Sequence, residues 1–583
     1  MRSLVDAIRR AATLRPSAPA LHSPARTVTY KELIHSMDGA AGALRARGVG
    51  PGCRVAVCLD RSPEMAIGIL ATLAAGAAYV PLDPAAPRAT LERTLIHSES
   101  SLLLGRSESE GLAATAGITR VDPDVWPLSD RAETTSGSGP AYLVYTSGST
   151  GAPKGVVVGT SALENYLSWA VASLPFTGAG VPLFASIAFD HTVTTLFPPL
   201  MMGETVYLLP PLGGGRAFAL NLFDCAPYSF VKITPSHFRL LDTEDRARLG
   251  RSTALVMFGG ERLTAHAVNE VRRDNPSLAV MNHYGPTECT VGCCVYRLPQ
   301  GGAVDPIPIG QPIPGVVVKL DTVEDTALAE ASHCEGGELL VAGRCLADGY
   351  WRQPELTDAS FVSIAAASGA STRWYRTGDF VSMAATGDLT FVGRSDSQVK
   401  ILGHRIELSE VERALTSYPA VRDAAVLTVD SAAGLRLVAA VAVTDPVANA
   451  DAIRAFVREK LPTAMVPWRV LVLDRLPTTV NGKLDAALVR TLATEPEVSA
   501  DHAVMEDAIA IKFRAAVGVA EVGLDQDFFL LGGDSLAAVD LTLWASQRFG
   551  VELELATLFE CSTIRLLAAR IRELQRASTE SGQ

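Results

Sequence analysis

Apolar positions along the first half of the chain fall in short runs broken by Gly, Pro, Ser and Asp, a pattern of alternating helices and buried strands. Residues 1–27 read as a helical lead-in followed by a loop. Val28 to Leu33 opens a helix whose small apolar residues run to Arg47, with Gly48 to stop it. Arg54 to Leu59 alternates as a strand, and Ser62-Pro63 offers an N-cap and first turn for a helix ending at Gly76. Ala77 to Pro84 is a further apolar run. Ala141 to Tyr145 and Val156 to Val158 predict two buried strands with a loop between them. This helix–strand alternation predicts α/β layers with parallel strands. Such signals continue without a break to about Arg394. A shorter, more charged portion follows from Asp396 to about Leu492, and Thr494 to Asp501 has linker composition. The last 75 or so residues carry about twice as many acidic as basic groups in a small helical pattern, and no solenoid repeat is visible.

Length bears on the domain count. A chain of 583 residues is too long for one core and predicts three or four domains. No apolar run reaches the roughly 18 residues of a membrane span; Met65 to Val80 is Ala/Gly-rich and runs into Pro81. Asp6, Arg9 and Arg10 interrupt any signal-peptide core, which places the protein in the cytoplasm and away from membranes. A net charge of −12 argues against a nucleic-acid partner. Nine cysteines, an odd and scattered set, suit free thiols in a reducing compartment. Cys289, Cys293 and Cys294 cluster, but their spacing fits no standard zinc pattern and reads as unligated thiols.

The loop between the two buried strands carries the candidate chemistry. It reads Tyr145-Thr146-Ser147-Gly148-Ser149-Thr150-Gly151-Ala152-Pro153-Lys154-Gly155. Small hydroxyl residues and glycines let a backbone approach an anion closely, and Lys154 adds charge, so a polyphosphate is the natural occupant. It is not the P-loop of ordinary NTPases, because Pro153 and Gly155 flank the lysine where glycine and a hydroxyl residue are needed. Taken alone, a plain Ser/Gly turn remains open.

The wording of this loop resembles the phosphate-binding signature of the adenylate-forming enzymes. The resemblance runs from about Val28 to Arg570, and its other motifs single out nonribosomal peptide synthetase adenylation domains fused to a peptidyl carrier protein. They are Asn282-His283-Tyr284-Gly285-Pro286-Thr287-Glu288, Tyr375-Arg376-Thr377-Gly378-Asp379-Phe380, Gly393-Arg394-Ser395-Asp396-Ser397-Gln398-Val399-Lys400 and Asn481-Gly482-Lys483-Leu484-Asp485. The fold it implies is a large multi-subdomain α/β unit over residues 1–395 and a small α+β lobe over 396–492. A linker over 493–501, an all-α four-helix carrier domain over 502–575 and a tail over 576–583 complete it. ATP would lie against Thr146, Ser147, Gly148, Ser149, Thr150, Gly151, Lys154, Asn282, Tyr284 and Thr287, with Tyr284 stacked on adenine. Glu288 would hold Mg2+ near the phosphates, in the usual arrangement of one carboxylate plus substrate oxygens. Asp379 would accept the ribose hydroxyls, Arg394 would reach the ribose or phosphates, and Asp396 would be the hinge. Lys483 would bridge the substrate carboxylate and the α-phosphate, countering the charge that gathers at phosphorus. The chain departs from the family at Ala464, at Ala486 and in Cys345 to Tyr350, none of which removes a catalytic group.

Phe189-Asp190-His191-Thr192 matches the family's substrate motif, in which Asp190 pairs with the α-ammonium of an amino acid. The remaining pocket positions carried over are His191, Thr194, Lys232, Met257, Gly259, His283, Val291 and Gly292, with Lys483. Lys232 and His283 in one pocket imply an anionic or strongly accepting side chain, so the substrate is expected to be aspartate or aspartate-like, while His191, where the family more often has an aliphatic residue, leaves room for a 3-substituted aspartate, asparagine or another small polar amino acid. Asp525 to Leu536 is close to the carrier signature. Ser535, at the start of a helix running to Phe549 and closed by Gly550, is the expected site of 4'-phosphopantetheine. The resemblance implies an aminoacyl-AMP intermediate and an aminoacyl thioester on that arm. Its partners would be a phosphopantetheinyl transferase, a separate condensing or tailoring enzyme and, in some members, a small activator protein. Two rivals are an acyl- or aryl-CoA ligase, against which Asp190 and the carrier stand, and a silent carrier-presenting scaffold, against which Lys483, Glu288 and Asp379 stand.

Overall fold

The computed structural model describes residues 4–580 apart from 127–138, 147–153, 211–214, 302, 304, 322–335, 366–370, 395–397, 402–403, 432–433, 444–448, 474, 478–483, 495–501, 518, 520–521, 529–530, 532–540, 543, 547, 550, 552, 554–556 and 559–560. The chain forms two compact units, one of residues 1–211 and 219–490 and the other of 212–218 and 491–583.

In the first unit, capping chemistry sets the helix starts. The helix Tyr30–Arg45 begins at Thr29, whose side chain accepts from the Glu32 N–H while Glu32 reaches back to the Thr29 N–H at 2.8 Å. Pro63–Ala74 begins at Ser62, whose hydroxyl accepts from the Met65 N–H at 3.2 Å, with Pro63 in the first turn. These helices flank a seven-stranded sheet in the order Gly349–Tyr350, Lys154–Gly159, Pro140–Thr146, Ala78–Leu82, Arg54–Cys58, Leu102–Gly105, Thr119–Val121. From Pro140–Thr146 across to Thr119–Val121 its pairs are parallel, and Arg54–Cys58 is buried on both faces. A five-stranded sheet runs Val231–Ile233, Leu255–Gly259, Ala279–Tyr284, Cys294–Arg297, Gln311–Pro312.

The expectation of parallel strands throughout the large portion is corrected at several places, among them the antiparallel pairs that Cys294–Arg297 makes with Ala279–Tyr284 and Gln311–Pro312. Pro140–Thr146 and Lys154–Gly159 pair antiparallel, so the phosphate loop closes a hairpin whose mouth is the pair Thr146 and Lys154. Val316–Asp321, Gly336–Gly343, Ser371–Met383, Phe361–Ala365 and Leu389–Arg394 form a wholly antiparallel sheet. Strand-like runs look alike in either direction, because side chains alternate the same way. The expected loop before residue 28 also holds two short strands, Pro19–His22 and Thr27–Thr29.

Residues after Arg394 pack around their own core of Ile401, Ile406, Val411, Leu415, Leu437, Val441, Ile453 and Val457. The hairpin Gln398–Ile401 with His404–Glu407 precedes a three-stranded sheet, Val421–Ser431, Gly434–Val443 and Arg469–Leu473, flanked by Leu408–Thr416 and Ala450–Lys460. In the second unit, the helices His502–Val517 and Ile564–Glu580 bury Ile509, Phe513, Phe528, Leu541, Ala545, Leu567 and Ile571 together. The last helix reaches Glu580, so the tail expected from residue 576 is helical for most of its length. Among the described residues no helix is long and apolar enough to cross a membrane.

Candidate active site

Two strand ends and a turn bring the nucleotide residues together. Lys154 opens its strand opposite Thr146 and is only 8% exposed. The Thr146 hydroxyl is buried with no hydrogen-bond partner among the described residues, a donor held at the mouth of the phosphate loop. Ser147, Gly148, Ser149, Thr150 and Gly151 lie outside the described residues, as do Asp396, Lys483 and Ser535.

Ala279–Tyr284 ends at the turn Gly285-Pro286, which delivers Asn282, His283 and Tyr284 on one side and Thr287 and Glu288 on the other. Asn282 Nδ2 donates to the Pro308 carbonyl at 2.7 Å. Tyr284 Oη donates to Asp379 Oδ2, and Arg394 Nη1 donates to Oδ1 of the same carboxylate. Arg394 and Asp379 are directly paired across two antiparallel strands, so their meeting is built into the register. Both oxygens expected to receive ribose are therefore held by protein donors. Lys400 lies 5.9 Å from the Tyr284 ring, and burial holds its ammonium below the usual lysine range while Asp379 opposes that shift.

Glu288 is fully buried. It accepts from Tyr350 Oη at 2.7 Å and from Arg405 Nη1 at 3.0 and 2.9 Å, one contact to each carboxylate oxygen. Burial works against its ionisation, yet the Arg405 guanidinium and the Tyr350 hydroxyl hold the carboxyl below its usual range. Among the described residues no group of three or more His, Cys, Asp or Glu side chains could hold a metal ion. A lone buried carboxylate near a phosphate loop fits magnesium carried in by a nucleotide, and does not fit an all-protein cage. Cys289, Cys293 and Cys294 are buried free thiols, joined by Cys345.

The residues expected to bind the amino acid converge beside this. Asp190 sits in a 3-10 turn, and its Oδ2 is buried with no hydrogen-bond partner. Burial pushes its carboxyl above the usual range, and Lys232, together with a hydrogen bond from the Thr287 side chain, only partly offsets that. Lys232 comes from Val231–Ile233 and is 2% exposed; its Nζ donates to Thr194 Oγ1 at 2.7 Å and to the His191 carbonyl at 3.2 Å. Burial pushes its ammonium down to about 7, against the pull of Asp190. His191 and His283 are kept neutral by burial, with Lys232 adding to the effect. His283 stacks on Trp169 at 5.5 Å and 12°, and its Nε2 lies 3.4 Å from Tyr166 Oη. Tyr166 Oη is 2.6 Å from Thr194 Oγ1.

Gly292 and Gly259 are spaces for this histidine. A Cβ on Gly292 would stand 2.0 Å from two atoms of the His283 ring, and one on Gly259 would be 3.1 Å from the His283 carbonyl. Met257 lies between Lys232 and Met281 in register. Val291 and the preceding Thr290 have φ of +67° and +54°, a conformation that β-branched residues rarely adopt. Thr290 is anchored by a 2.7 Å bond to the Cys345 carbonyl. Strained backbone here shapes the pocket wall.

Sequence reasoning did not mark Tyr166 and Trp169, which sit three apart on the helix Thr160–Ser173 and read as core. It also passed over Tyr350, Arg405 and Glu407. The alternation His404-Arg405-Ile406-Glu407, with charge at every second place beside a buried isoleucine, was the available signal for the last two.

A layered α/β body, a smaller lobe placed over the nucleotide residues and a helical end domain define an adenylate-forming fold followed by a carrier domain. Residues 8–351 match the AMP-binding enzyme family, residues 410–483 its C-terminal domain and residues 507–571 the phosphopantetheine attachment site family, so the chain belongs to the AMP-binding enzymes. It is 32% identical, over 97% of its length, to tyrocidine synthase 3 of Brevibacillus parabrevis. It is 33% identical, over 99% of its length, to a dimodular nonribosomal peptide synthase of Bacillus subtilis. The chain spans only 9% and 24% of those proteins. The structure of holo-PA1221, a nonribosomal peptide synthetase protein of adenylation and PCP domains, superposes with a TM-score of 0.75 at 27% identity, covering 98% of this chain and 97% of that one. AB3403, a four-domain synthetase bound to AMP and glycine, gives a TM-score of 0.59 at 31% identity over 98% of this chain and 43% of its own.

Proposed function

We propose that the chain activates an aspartate-like amino acid with MgATP and passes the acyl group to its own carrier domain, in the assembly of a nonribosomal peptide or related product. The observation that supports this reading is the pairing in one pocket of Asp190, a buried carboxylate lacking a partner on Oδ2, with Lys232, a buried ammonium. Their mutual attraction offsets only part of the cost of burying each, and a substrate bearing both charges would supply the rest. An amino acid with an acidic side chain brings both, its α-ammonium to Asp190 and its side-chain carboxylate to Lys232 and His283. An aryl or fatty acid leaves Asp190 unmatched, which weighs against a CoA-ligase reading.

The α-carboxylate oxygen attacks the α-phosphorus, the bond to the bridging oxygen breaks, and pyrophosphate leaves. Thr146 and Lys154 bind the phosphate chain, Asn282 and Tyr284 hold the base, and Asp379 with Arg394 positions the ribose. Lys483 would steady the two anions as they meet. Glu288 would hold magnesium, which would neutralise charge at the leaving phosphates. Ser535 would carry the phosphopantetheine arm, whose thiol would receive the acyl group as AMP departs and the thiol proton is lost. Rotation of the small lobe about Asp396 lets one cleft serve both half-reactions. The domain limits 1–395, 396–492 and 502–575, the requirement for a phosphopantetheinyl transferase and a downstream condensing or tailoring enzyme, and a cytoplasmic location belong to the same proposal. ATP–pyrophosphate exchange across the amino acids tests it: aspartate and its 3-substituted forms are expected to give the highest exchange. Preference for a neutral amino acid overturns the substrate assignment, and silence with every amino acid overturns the activity.

A further inference from the structure

Lys232, Thr194, Tyr166 and His283 form one buried chain of hydrogen bonds whose direction is fixed at its charged end. Lys232 Nζ donates to Thr194 Oγ1 at 2.7 Å, Tyr166 Oη stands 2.6 Å from that hydroxyl, and His283 Nε2 lies 3.4 Å from Tyr166 Oη. An ammonium carries no lone pair, so Thr194 cannot donate back to Lys232. Among the described residues Tyr166 is the only other partner of the Thr194 hydroxyl, and Thr194 therefore donates to Tyr166. Burial holds the Tyr166 hydroxyl above its usual range, so it keeps its own proton, and the acceptor left for that proton is His283 Nε2. A neutral imidazole that accepts at Nε2 carries its hydrogen on Nδ1. Nδ1 lies on the Gly259 side of the ring, 3.6 Å from where a Cβ on that glycine would stand. Trp169 stacks on the imidazole at 5.5 Å and 12°, which holds the plane of the ring.

We propose that Tyr166 is a positioning residue that keeps the His283 hydrogen on Nδ1, so that Lys232 and His283 offer donors alone and the pocket takes a carboxylate rather than the carboxamide of the same shape. This rests on the aspartate-like reading above and narrows it, because asparagine is then selected against. Size does not separate the two side chains, which are nearly isosteric; hydrogen-bond polarity does. Gly259 is itself one of the expected pocket positions, so the Nδ1 hydrogen lies on the pocket side of the ring. A carboxylate has two accepting oxygens and satisfies a donor on each. A carboxamide has one accepting oxygen and an NH2 group, and that group would meet the Lys232 ammonium or the His283 N–H, donor against donor. The opposite tautomer would turn a lone pair to the same place and welcome the NH2 group. Without the Tyr166 hydroxyl the imidazole is free to hold its hydrogen on either nitrogen. Tyr166 thus acts on the substrate through His283.

The tautomer is read first, by nitrogen NMR of the full chain with 15N-labelled histidine, without amino acid or ATP. The measurement is made at pH 6, below the value of about 7 to which Lys232 is pushed, so that its ammonium is formed. His283 signals are identified by their loss in His283→Gln. Wild type is expected to show the Nδ1–H form, and Tyr166→Phe, which removes one hydroxyl and keeps the ring, a mixture of both forms. ATP–pyrophosphate exchange is then measured with aspartate and with asparagine. In Tyr166→Phe the ratio of kcat/KM for aspartate to that for asparagine is expected to fall roughly tenfold, carried by KM with kcat little altered. Thr194→Val breaks the chain one bond earlier and is expected to move both readouts the same way. A merely structural role for the phenol would move neither. An Nε2–H form in wild type, an unchanged tautomer in Tyr166→Phe, or an unchanged aspartate-to-asparagine ratio overturns the proposal. The two readings fail separately: silence in exchange, or preference for some other neutral amino acid, refutes the function proposed above, and the tautomer comparison, made without substrate, then decides this inference alone.

Discussion

Lys232 holds its proton where water scarcely reaches, and its ammonium donates to a hydroxyl and a carbonyl. With that ammonium pushed down to about 7 in the empty pocket, the charge that should meet a substrate carboxylate is present below that pH and lost above it. The pKa of Asp190 is displaced upward, so the carboxylate that should meet the α-ammonium is lost on the acid side. Affinity for an acidic amino acid is therefore expected to peak near neutrality and to weaken by up to roughly tenfold per pH unit on the alkaline limb; KM for aspartate in the exchange assay measured from pH 6 to 9 checks this. Gly292 makes a second, purely steric argument at this scale. In Gly292→Ala the new methyl would fall 2.0 Å from the His283 ring and drive it off Trp169. Exchange with acidic amino acids is expected to fall by about 10²-fold, with the loss larger in kcat/KM for aspartate than for neutral amino acids. Asp190, Lys232 and His283, proposed here for the pocket, could be picked out through the motifs around them, and the structure brings them close together. Tyr166 and Trp169 could not, because a buried aromatic on a helix carries the same pattern whether it packs against core or against a ligand site.

Elements explain how such residues are held. The helix Tyr30–Arg45 buries Leu33, Met37, Ala40, Ala41 and Leu44 against the first sheet's helices, and its start is fixed by the reciprocal bonds between Thr29 and Glu32. Thr29→Ala is expected to cost about 1 kcal/mol, read as a lower midpoint in urea, while exchange activity is measured in parallel to separate stability from chemistry. Helix starts of this kind were legible because Thr29-Glu32 and Ser62-Pro63 act within a single turn. Strand direction was not. The antiparallel sheet from Val316 to Arg394 and the hairpin around the phosphate loop depend on which distant strand lies alongside, and single-strand alternation contains no such information.

At the scale of the whole molecule, one compact unit carries both the large body and the small lobe, and the carrier is a second unit with its own apolar core. That separate core makes the attachment serine testable on its own terms. Ser535→Ala is expected to show no mass increase after treatment with a phosphopantetheinyl transferase and coenzyme A, where wild type gains the arm; a gain in the variant would move the attachment site elsewhere. The small lobe is the clearest case of what residue order does and does not contain. Chemistry that acts through neighbours in the chain, such as the turn before Glu288, can be read from the chain alone, since bond geometry ties those groups together whatever the rest of the molecule does. Contacts such as Arg405 on Glu288, Glu407 on Lys154 and Tyr284 on Asp379 join groups 95 to 253 positions apart. They exist only once two lobes and two sheets have packed, because only packing fixes which buried charge faces which.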